Sequence, residues 1–255
     1  MKVSASQVSK LRRCKRAFAF EYVENKRPPS SKVQEFGTAV HKQLEMWLSE
    51  SKVPDGSAAG LVAKSGLQWL PVPHEKLETE LEFVMDWGPN VQTGGFIDVI
   101  QPPGLFDTAE PMIIDHKTTS DLRWAKSEAD LVIDEQAIIY SVWAMTHFDS
   151  AEVRARWVYY AATNPKSGRR RPKGTRMVEV LFSARDPKFL AEVERLDLDV
   201  KECVRIRTLN LRGMSFEPSP ESCRLFGGCF HVNRCNLSPL DSLGAYIERD
   251  IRKNK

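Results

Sequence analysis

Gly95-Phe96-Ile97-Asp98-Val99-Ile100 and Met112-Ile113-Ile114-Asp115-His116-Lys117-Thr118-Thr119 decide how this chain is read. Ile97 to Ile100 and Met112 to Ile114 are short runs of branched and apolar residues bounded by turn residues, which predicts two strands. Between them, Gln101-Pro102-Pro103-Gly104 cannot continue a ladder, because proline has no N–H to donate, so the chain reverses there. Side chains two apart on a strand share a face. Asp115 and Lys117 therefore point the same way, and the hairpin can set Asp98 beside them. Two carboxylates and one ammonium are the parts a divalent-metal phosphodiesterase needs. The acids hold a hard cation through oxygen. The lysine orients or helps deprotonate a water, or offsets charge in the transition state. An ordinary surface hairpin with an ion pair reads the same way, so the flanking sequence has to decide.

With 255 residues the chain holds one large domain or two small ones. A net charge of only +3 does not announce a nucleic-acid binder, so local clustering must. Met1 to Arg16 carries no apolar signal segment. No apolar run approaches the ~18 residues of a membrane span. A cytoplasmic, reducing setting is expected, where cysteines serve metals or chemistry more than disulfides.

Val8, Leu11, Cys14, Phe18 and Tyr22 form one apolar stripe, which predicts a helix over Ser4–Val23, and Pro28-Pro29 follows it. A second helix is expected over Gln34–Glu50, faced by Phe36, Val40, Leu44, Trp47 and Leu48. Inside it stands Gly37-Thr38-Ala39-Val40-His41, with His41 one turn beyond Gly37 on the same side. Glu50 to Gly66 reads as a loop with part of a helix. Lys76–Asp86 alternates as a strand, carrying Glu78, Glu80 and Glu82 on one side. Beyond the Asp-x-Lys strand, Ile133–His147 reads as a helix with Gln136 and Tyr140 stacked four apart. Glu152–Ala162 and Met177–Phe182 read as a hairpin. The loop between them carries Lys166, Arg169, Arg170, Arg171, Lys173 and Arg176 and no acid, which suits a phosphate backbone. Asp186–Leu211 reads as one long helix with Cys203 on its core stripe.

From Ser219 the text changes. Cys223, Cys229 and Cys235, with five residues between neighbours and Gly227-Gly228 alongside, can wrap one metal centre. Glycines let backbone N–H groups point at sulfur. Cys14 is the natural fourth ligand, although a cysteine on an apolar stripe is also an ordinary core residue. Zinc is an alternative metal, with His231 able to replace one thiolate. Ser238-Pro239 then opens a last helix with Leu240, Leu243, Ile247 and Ile251 as its stripe.

Taken in order, these elements resemble the PD-(D/E)XK nuclease superfamily over nearly the whole chain. The N-terminal cysteine, Gly-x-x-x-His, Asp98, Asp115-x-Lys117, Gln136-x-x-x-Tyr140 and the terminal cysteines resemble its RecB-like iron–sulfur branch. That branch includes the CRISPR-associated RecB-like exonucleases and the AddB nuclease domain, and a phage origin would fit. The resemblance implies a restriction-endonuclease-like α/β fold: a mixed central sheet flanked by helices, with a C-terminal segment stapled by a metal cluster. It implies one domain over 1–255, with N-terminal helices in 1–50, a catalytic core in 76–182, the long helix 186–211 and the cysteine segment 219–255. It implies that His41, Asp98, Asp115 and the carbonyl of His116 bind Mg²⁺ or Mn²⁺, that Lys117 positions water, and that Gln136 and Tyr140 orient DNA. Glu80 or Glu82 would add an acid from the preceding strand. It implies a [4Fe–4S] cluster on Cys14, Cys223, Cys229 and Cys235. Two departures are plain: Ile97 stands where the superfamily name has proline, and five residues separate Cys223 from Cys229 where two are common.

The implied activity is a DNA exonuclease on single-stranded or end-containing DNA, serving recombination, repair or phage DNA metabolism with proteins of recombination or replication as partners. Two rivals stay open: an inactive DNA-binding scaffold, and a structure- or site-specific endonuclease.

Overall fold

Residues 1–163, 169–223 and 228–235 are described by the structure, a computed structural model. In chain order the elements are β1 (Lys2–Val3), α1 (Ala5–Arg13), α2 (Lys15–Tyr22), α3 (Lys32–Glu50), α4 (Ala58–Lys64), β2 (Glu78–Gly88), β3 (Val91–Gln101) and β4 (Met112–Thr119). There follow α5 (Glu128–Leu131), α6 (Glu135–His147), β5 (Glu152–Ala162), β6 (Pro172–Ser183), α7 (Pro187–Thr208) and α8 (Pro220–Cys223). They fall into two compact units. One comprises Met1–Pro29, Gly88–Val91 and Arg195–Lys255; the other comprises Ser30–Trp87 and Gln92–Glu194.

The second unit is built on a mixed sheet. β3 pairs with β2 and, antiparallel, with β4, in the register Val99 to Ile114 and Ile100 to Ile113. β4 pairs parallel with β5 from Met112 opposite Arg154 to Thr119 opposite Ala161. β5 pairs antiparallel with β6. A parallel pair needs a crossover, and α5 and α6 lie in the connection from β4 to β5. Met112 to His116 are buried one after another, as a strand covered on both faces must be. On one face Val99, Met112, Ile114, Val158 and Tyr160 share a core with Val40, Leu44 and Leu48 of α3 and with Val62 and Ala63 of α4. Residues 113, 115 and 117 alternate onto the other face, where α6 buries Ala137, Ile138, Ile139 and Tyr140. The expected α/β class, a mixed sheet flanked by helices, is thus what the chain forms.

In the first unit a capping box from Ser4 to Gln7 starts α1. The expected helix over Ser4–Val23 is two helices. Cys14 is extended (φ −165°, ψ 111°), ending α1 and starting α2. Arg12 donates to Asp199 of α7 at 2.6 Å, and Lys15 donates to Glu202 at 2.9 Å.

Other expectations need correction at their edges. β6 begins at Pro172, so Lys173 and Arg176 are strand residues and not part of a free loop. α6 begins at Glu135 because Asp134 caps it, accepting from the N–H groups of Gln136 and Ala137. α7 ends at Thr208, short of Leu211. The helix expected from Ser238 lies outside the described residues. Among the described residues no helix is long and apolar enough to cross a membrane.

Candidate active site

His41, Asp98, Asp115, His116, Lys117, Gln136 and Tyr140 all belong to the second unit. Helix α3 reaches β4 closely because Gly37 has no side chain: a Cβ there would lie 2.9 Å from Oγ1 of Thr118. One turn on, His41 Nδ1 stands 3.5 Å from Asp98 Oδ1. The Oδ2 of Asp98 accepts the backbone N–H of His116 at 2.6 Å. Hairpin and helix therefore converge on one carboxylate.

A second cluster joins the first. Lys117 Nζ lies 2.6 Å from Asp115 Oδ2 and donates to Gln136 Oε1 at 2.9 Å. The same amide donates through Nε2 to Asp115 Oδ1 at 2.7 Å and to the Tyr140 hydroxyl at 3.1 Å. Tyr140 donates onward to the carbonyl of Phe96 at 2.5 Å, tying α6 to β3. Beneath them the buried Tyr160 hydroxyl meets Nδ1 of His116 at 3.3 Å.

Burial favours the neutral form of a carboxyl, and neighbouring cations oppose it. Burial pushes Asp98 up, but the hydrogen bond and charge of His41, with His116 and Lys117, outweigh it and hold Asp98 down at about 2. Asp115 is more deeply buried, and burial together with the Asp98 charge lifts it to about 6 against the pull of Lys117. Burial lowers His41, yet its contact with Asp98 brings the net shift above the ordinary value. Burial takes His116 down to about 4, so this ring is neutral near pH 7. Glu80 is raised by burial and by the charge of Asp98.

The donor atoms of His41, Glu80 and Asp98 all lie within 4.8 Å of one another. Opposite ligands of an octahedral Mg²⁺ sit about 4.2 Å apart, so one nitrogen and two carboxylates in this space fit a hard or borderline divalent ion. Glu80, and not Glu82, is the acid of β2 that enters this group. It does so from a left-handed backbone (φ 50°), which interrupts the regular strand. Asp115 is outside that tightest set, held by Lys117 and Gln136. The backbone of His116 meets Asp98 through its N–H. Sequence reasoning passed over Asp134, whose capping sets where Gln136 begins its turn. An aspartate directly before a helical pattern was the available signal.

The basic residues are spread more widely. Arg169 donates to the carbonyl of Gly56, Arg170 lies 4.6 Å over the ring of Phe36, and Lys173 Nζ donates to the carbonyl of Ser120 at 3.2 Å. Arg171 is exposed, and Arg176 stands opposite Tyr159. Lys166 lies outside the described residues.

The four cysteines belong to the first unit and are free thiols, with Cys14, Cys223 and Cys235 buried. Ser222 donates to the carbonyl of Arg13 at 2.6 Å, which brings α8 against the break at Cys14. Burial pushes Cys223 up to about 12, and the charges of Cys229, Cys235 and Cys14 add to it. The N–H of His231 points at Cys229 Sγ across 3.4 Å. The buried Arg16 donates to the carbonyls of Phe216 and Cys235, both at 2.6 Å. His231 contacts Glu21 at 3.1 Å, where Lys10 also donates at 2.8 Å. Thiols close enough for Cys14 and Cys229 to act on Cys223 and Cys235, with an N–H aimed at one sulfur, suit a soft metal centre that takes thiolates.

No curated protein matches this chain. The solved structure described as "Crystal structure of SSO0001" is similar over 79% of this chain and 75% of its own, at 17% identity and a TM-score of 0.42, which is too loose to carry an argument. The sequence model of the PD-(D/E)XK nuclease superfamily matches residues 2–75 and 62–236. Members of that superfamily are metal-dependent nucleases that act on DNA and generally use Mg²⁺ or Mn²⁺. With that match covering most of its length, and with its acids and lysine gathered on one sheet and His41 reaching them from α3, the chain belongs to the PD-(D/E)XK nuclease superfamily.

Proposed function

We propose that this protein is a metal-dependent DNA exonuclease acting on single-stranded or end-containing DNA, in the manner of the RecB-like branch. The observation that carries the reading is a pair of bonded groups on adjacent strands: Asp98 with His41, and Asp115 with Lys117, Gln136 and Tyr140. In this reading His41, Glu80 and Asp98 hold Mg²⁺ or Mn²⁺, with Asp115 and the carbonyl of His116 completing the site. The ion, when bound, polarises the scissile phosphate and acidifies a water. Lys117 holds the attacking water in line and offsets charge that gathers on the phosphate oxygens. Gln136 bonds both Lys117 and Asp115, and Tyr140 fixes Gln136 against β3. Arg169, Arg170, Arg171, Lys173 and Arg176, with Lys166, bind backbone phosphates.

Cys14, Cys223, Cys229 and Cys235 hold a [4Fe–4S] cluster in this reading, with zinc as the rival. The mutual proximity of the thiols and the N–H on Cys229 support a thiolate centre of either kind. Anaerobically purified protein should contain iron and acid-labile sulfide in equal amounts. Zinc without sulfide would select the rival. Partners in recombination or replication and a cytoplasmic setting go with the same reading.

The deciding assay uses end-labelled single-stranded, linear duplex and closed circular DNA, with Mn²⁺ or Mg²⁺. Metal-dependent release from ends, lost in Lys117→Ala, is expected. Discrete fragments from circles would make the enzyme an endonuclease. Binding without cleavage under either metal would leave a DNA-binding scaffold.

A further inference from the structure

Trp124 is the most exposed large apolar side chain among the described residues, at 68%. An indole offers more area to bury than most side chains, so leaving it in water forgoes a large stabilisation. Its place in the chain gives that exposure a meaning. The segment 120–134 leaves β4 just after Lys117 and returns to α6 just before Gln136, and those two side chains are bonded at 2.9 Å. The loop that carries Trp124 therefore begins and ends at the candidate active site.

The loop is fastened. Thr119 Oγ1 donates to the carbonyl of Asp121 at 2.9 Å, and Asp121 Oδ1 accepts the N–H of Arg123 at 2.9 Å. The N–H of Trp124 returns to the carbonyl of Asp121 at 3.1 Å, and that of Ala125 to Leu122 at 3.0 Å. Leu122 turns down onto Gly174 of β6, where a Cβ would lie 3.7 Å from its methyl. Beside it Lys173 clasps Ser120. One apolar residue of the turn anchors it and the other faces water, on a support that does not need ordering when a ligand arrives.

The surroundings are basic. Arg123 has a side chain 83% exposed and pairs with Asp121 at 3.2 Å. Lys173 is exposed at the start of β6, and Arg171 is exposed just before it. An indole among cations is the pattern of a single-strand platform, since every unpaired base offers a face to stack on and the cations track the backbone. In a duplex those faces are already covered by neighbouring bases. A second copy of this chain is a poorer occupant, because a two-fold contact through this patch sets the same cations against each other.

We infer that Trp124 is a base-stacking platform that makes the site demand an unpaired nucleotide next to the phosphate it cuts. This rests on the nuclease reading above and adds a specificity residue to it.

The test measures binding without cleavage, in buffer free of divalent metal, for wild type, Trp124→Phe and Trp124→Ala. The ligands are a fluorescent oligothymidine, the same strand with abasic positions, and a blunt duplex. Trp124→Ala should weaken oligothymidine binding about 5- to 100-fold, Trp124→Phe less, and neither should change duplex affinity or melting temperature. Wild type should bind the abasic strand about as weakly as Trp124→Ala binds the intact one. The salt dependence of binding should be unchanged in Trp124→Ala and shallower in Lys173→Ala, which separates stacking from phosphate contact. Unchanged oligothymidine affinity, an equal loss on duplex, or wild type that binds no single strand would overturn the platform. So would a dimer of the wild type that Trp124→Ala dissociates with DNA affinity intact. Cleavage by wild type with Trp124-independent binding removes the platform and leaves the nuclease. Trp124-dependent binding with no cleavage removes the nuclease and leaves a single-strand binder.

Discussion

The side-chain amide nitrogen of Gln136 lies 2.7 Å from Oδ1 of Asp115, and that contact decides what the Asp-x-Lys strand presents. Because the amide oxygen of Gln136 takes a hydrogen from Lys117 at 2.9 Å, one helix residue orients both members of the strand pair.

Gln136→Leu should therefore misplace Lys117 and Asp115 without unfolding α6, since Asp134 still caps the helix. A displacement of about 1 Å at reacting groups costs on the order of 100-fold in rate. The expected result is a fall in kcat of about 10- to 100-fold with KM for DNA little changed. A change confined to KM would place Gln136 in DNA binding alone.

Lys117→Ala leaves the buried Asp115 without its cation. A loss of about 100- to 1,000-fold in cleavage is expected, the scale of one charge-stabilising donor removed. Lys117→Arg should recover only part of it, because a planar guanidinium cannot reproduce a point ammonium between Asp115 and Gln136.

Gly37→Ala tests the close approach of α3 to β4. Alanine favours a helix interior by about 1 kcal/mol over glycine, yet here the new carbon would meet Thr118 Oγ1 at 2.9 Å. Either the Thr118 hydroxyl turns away or the helix shifts, and a shift of the helix carries His41 with it. Melting temperature should move little, while metal affinity measured by titration falls about tenfold, at the low end of what a disturbed support of a metal ligand costs. Thr118→Ala in the same protein should restore it.

Arg16→Leu removes the donor shared by the carbonyls of Phe216 and Cys235. One buried and one partly buried carbonyl left without partners cost about 2 kcal/mol together. A lower unfolding midpoint in denaturant is expected, and under the thiolate-centre reading proposed above it should come with loss of iron or zinc. Retention of both would show that other groups hold that segment.

Glu202 gives a pH signature. Its hydrogen bond to Arg205, against a smaller burial effect and with Lys15 helping, lowers its pKa from 4.5 to about 2. A depressed acid stabilises the fold above its unfolded pKa, and that contribution fades as pH falls from about 4.5 through about 2. The gap in melting temperature between wild type and Glu202→Gln should close across that window. It should be small, because the group is partly exposed, and smaller still in high salt.

Much of this was readable from residues alone. The β5 strand falls on Glu152–Ala162 as its alternation says, Asp115 and Lys117 pair on one face as the period of two requires, and the hairpin sets Asp98 against the backbone of His116 between them. The break at Cys14 was not legible, because no proline or glycine marks it and Val8, Leu11 and Phe18 keep a helical spacing across it. Glu80 could not be separated from Glu82 for a similar reason. Alternation treats them alike, and only the left-handed backbone at Glu80 turns its carboxylate toward His41. Asp134 carried a local capping signal that went unused, whereas Trp124 depends on which residues the fold brings near Lys117, which no local pattern encodes.

β4 is clamped along its length, antiparallel to β3 at Met112–Ile114 and parallel to β5 at all positions from Met112 to Thr119. A single inserted or deleted residue between Pro111 and Asp115 would turn Asp115 and Lys117 toward α3 and bring His116 round to Gln136. Inheritance of this site is thus intolerant of length change in one strand of eight residues. Gene variants that gain or lose codons can survive in the surface connections, but in this strand a single codon gained or lost would inactivate the enzyme.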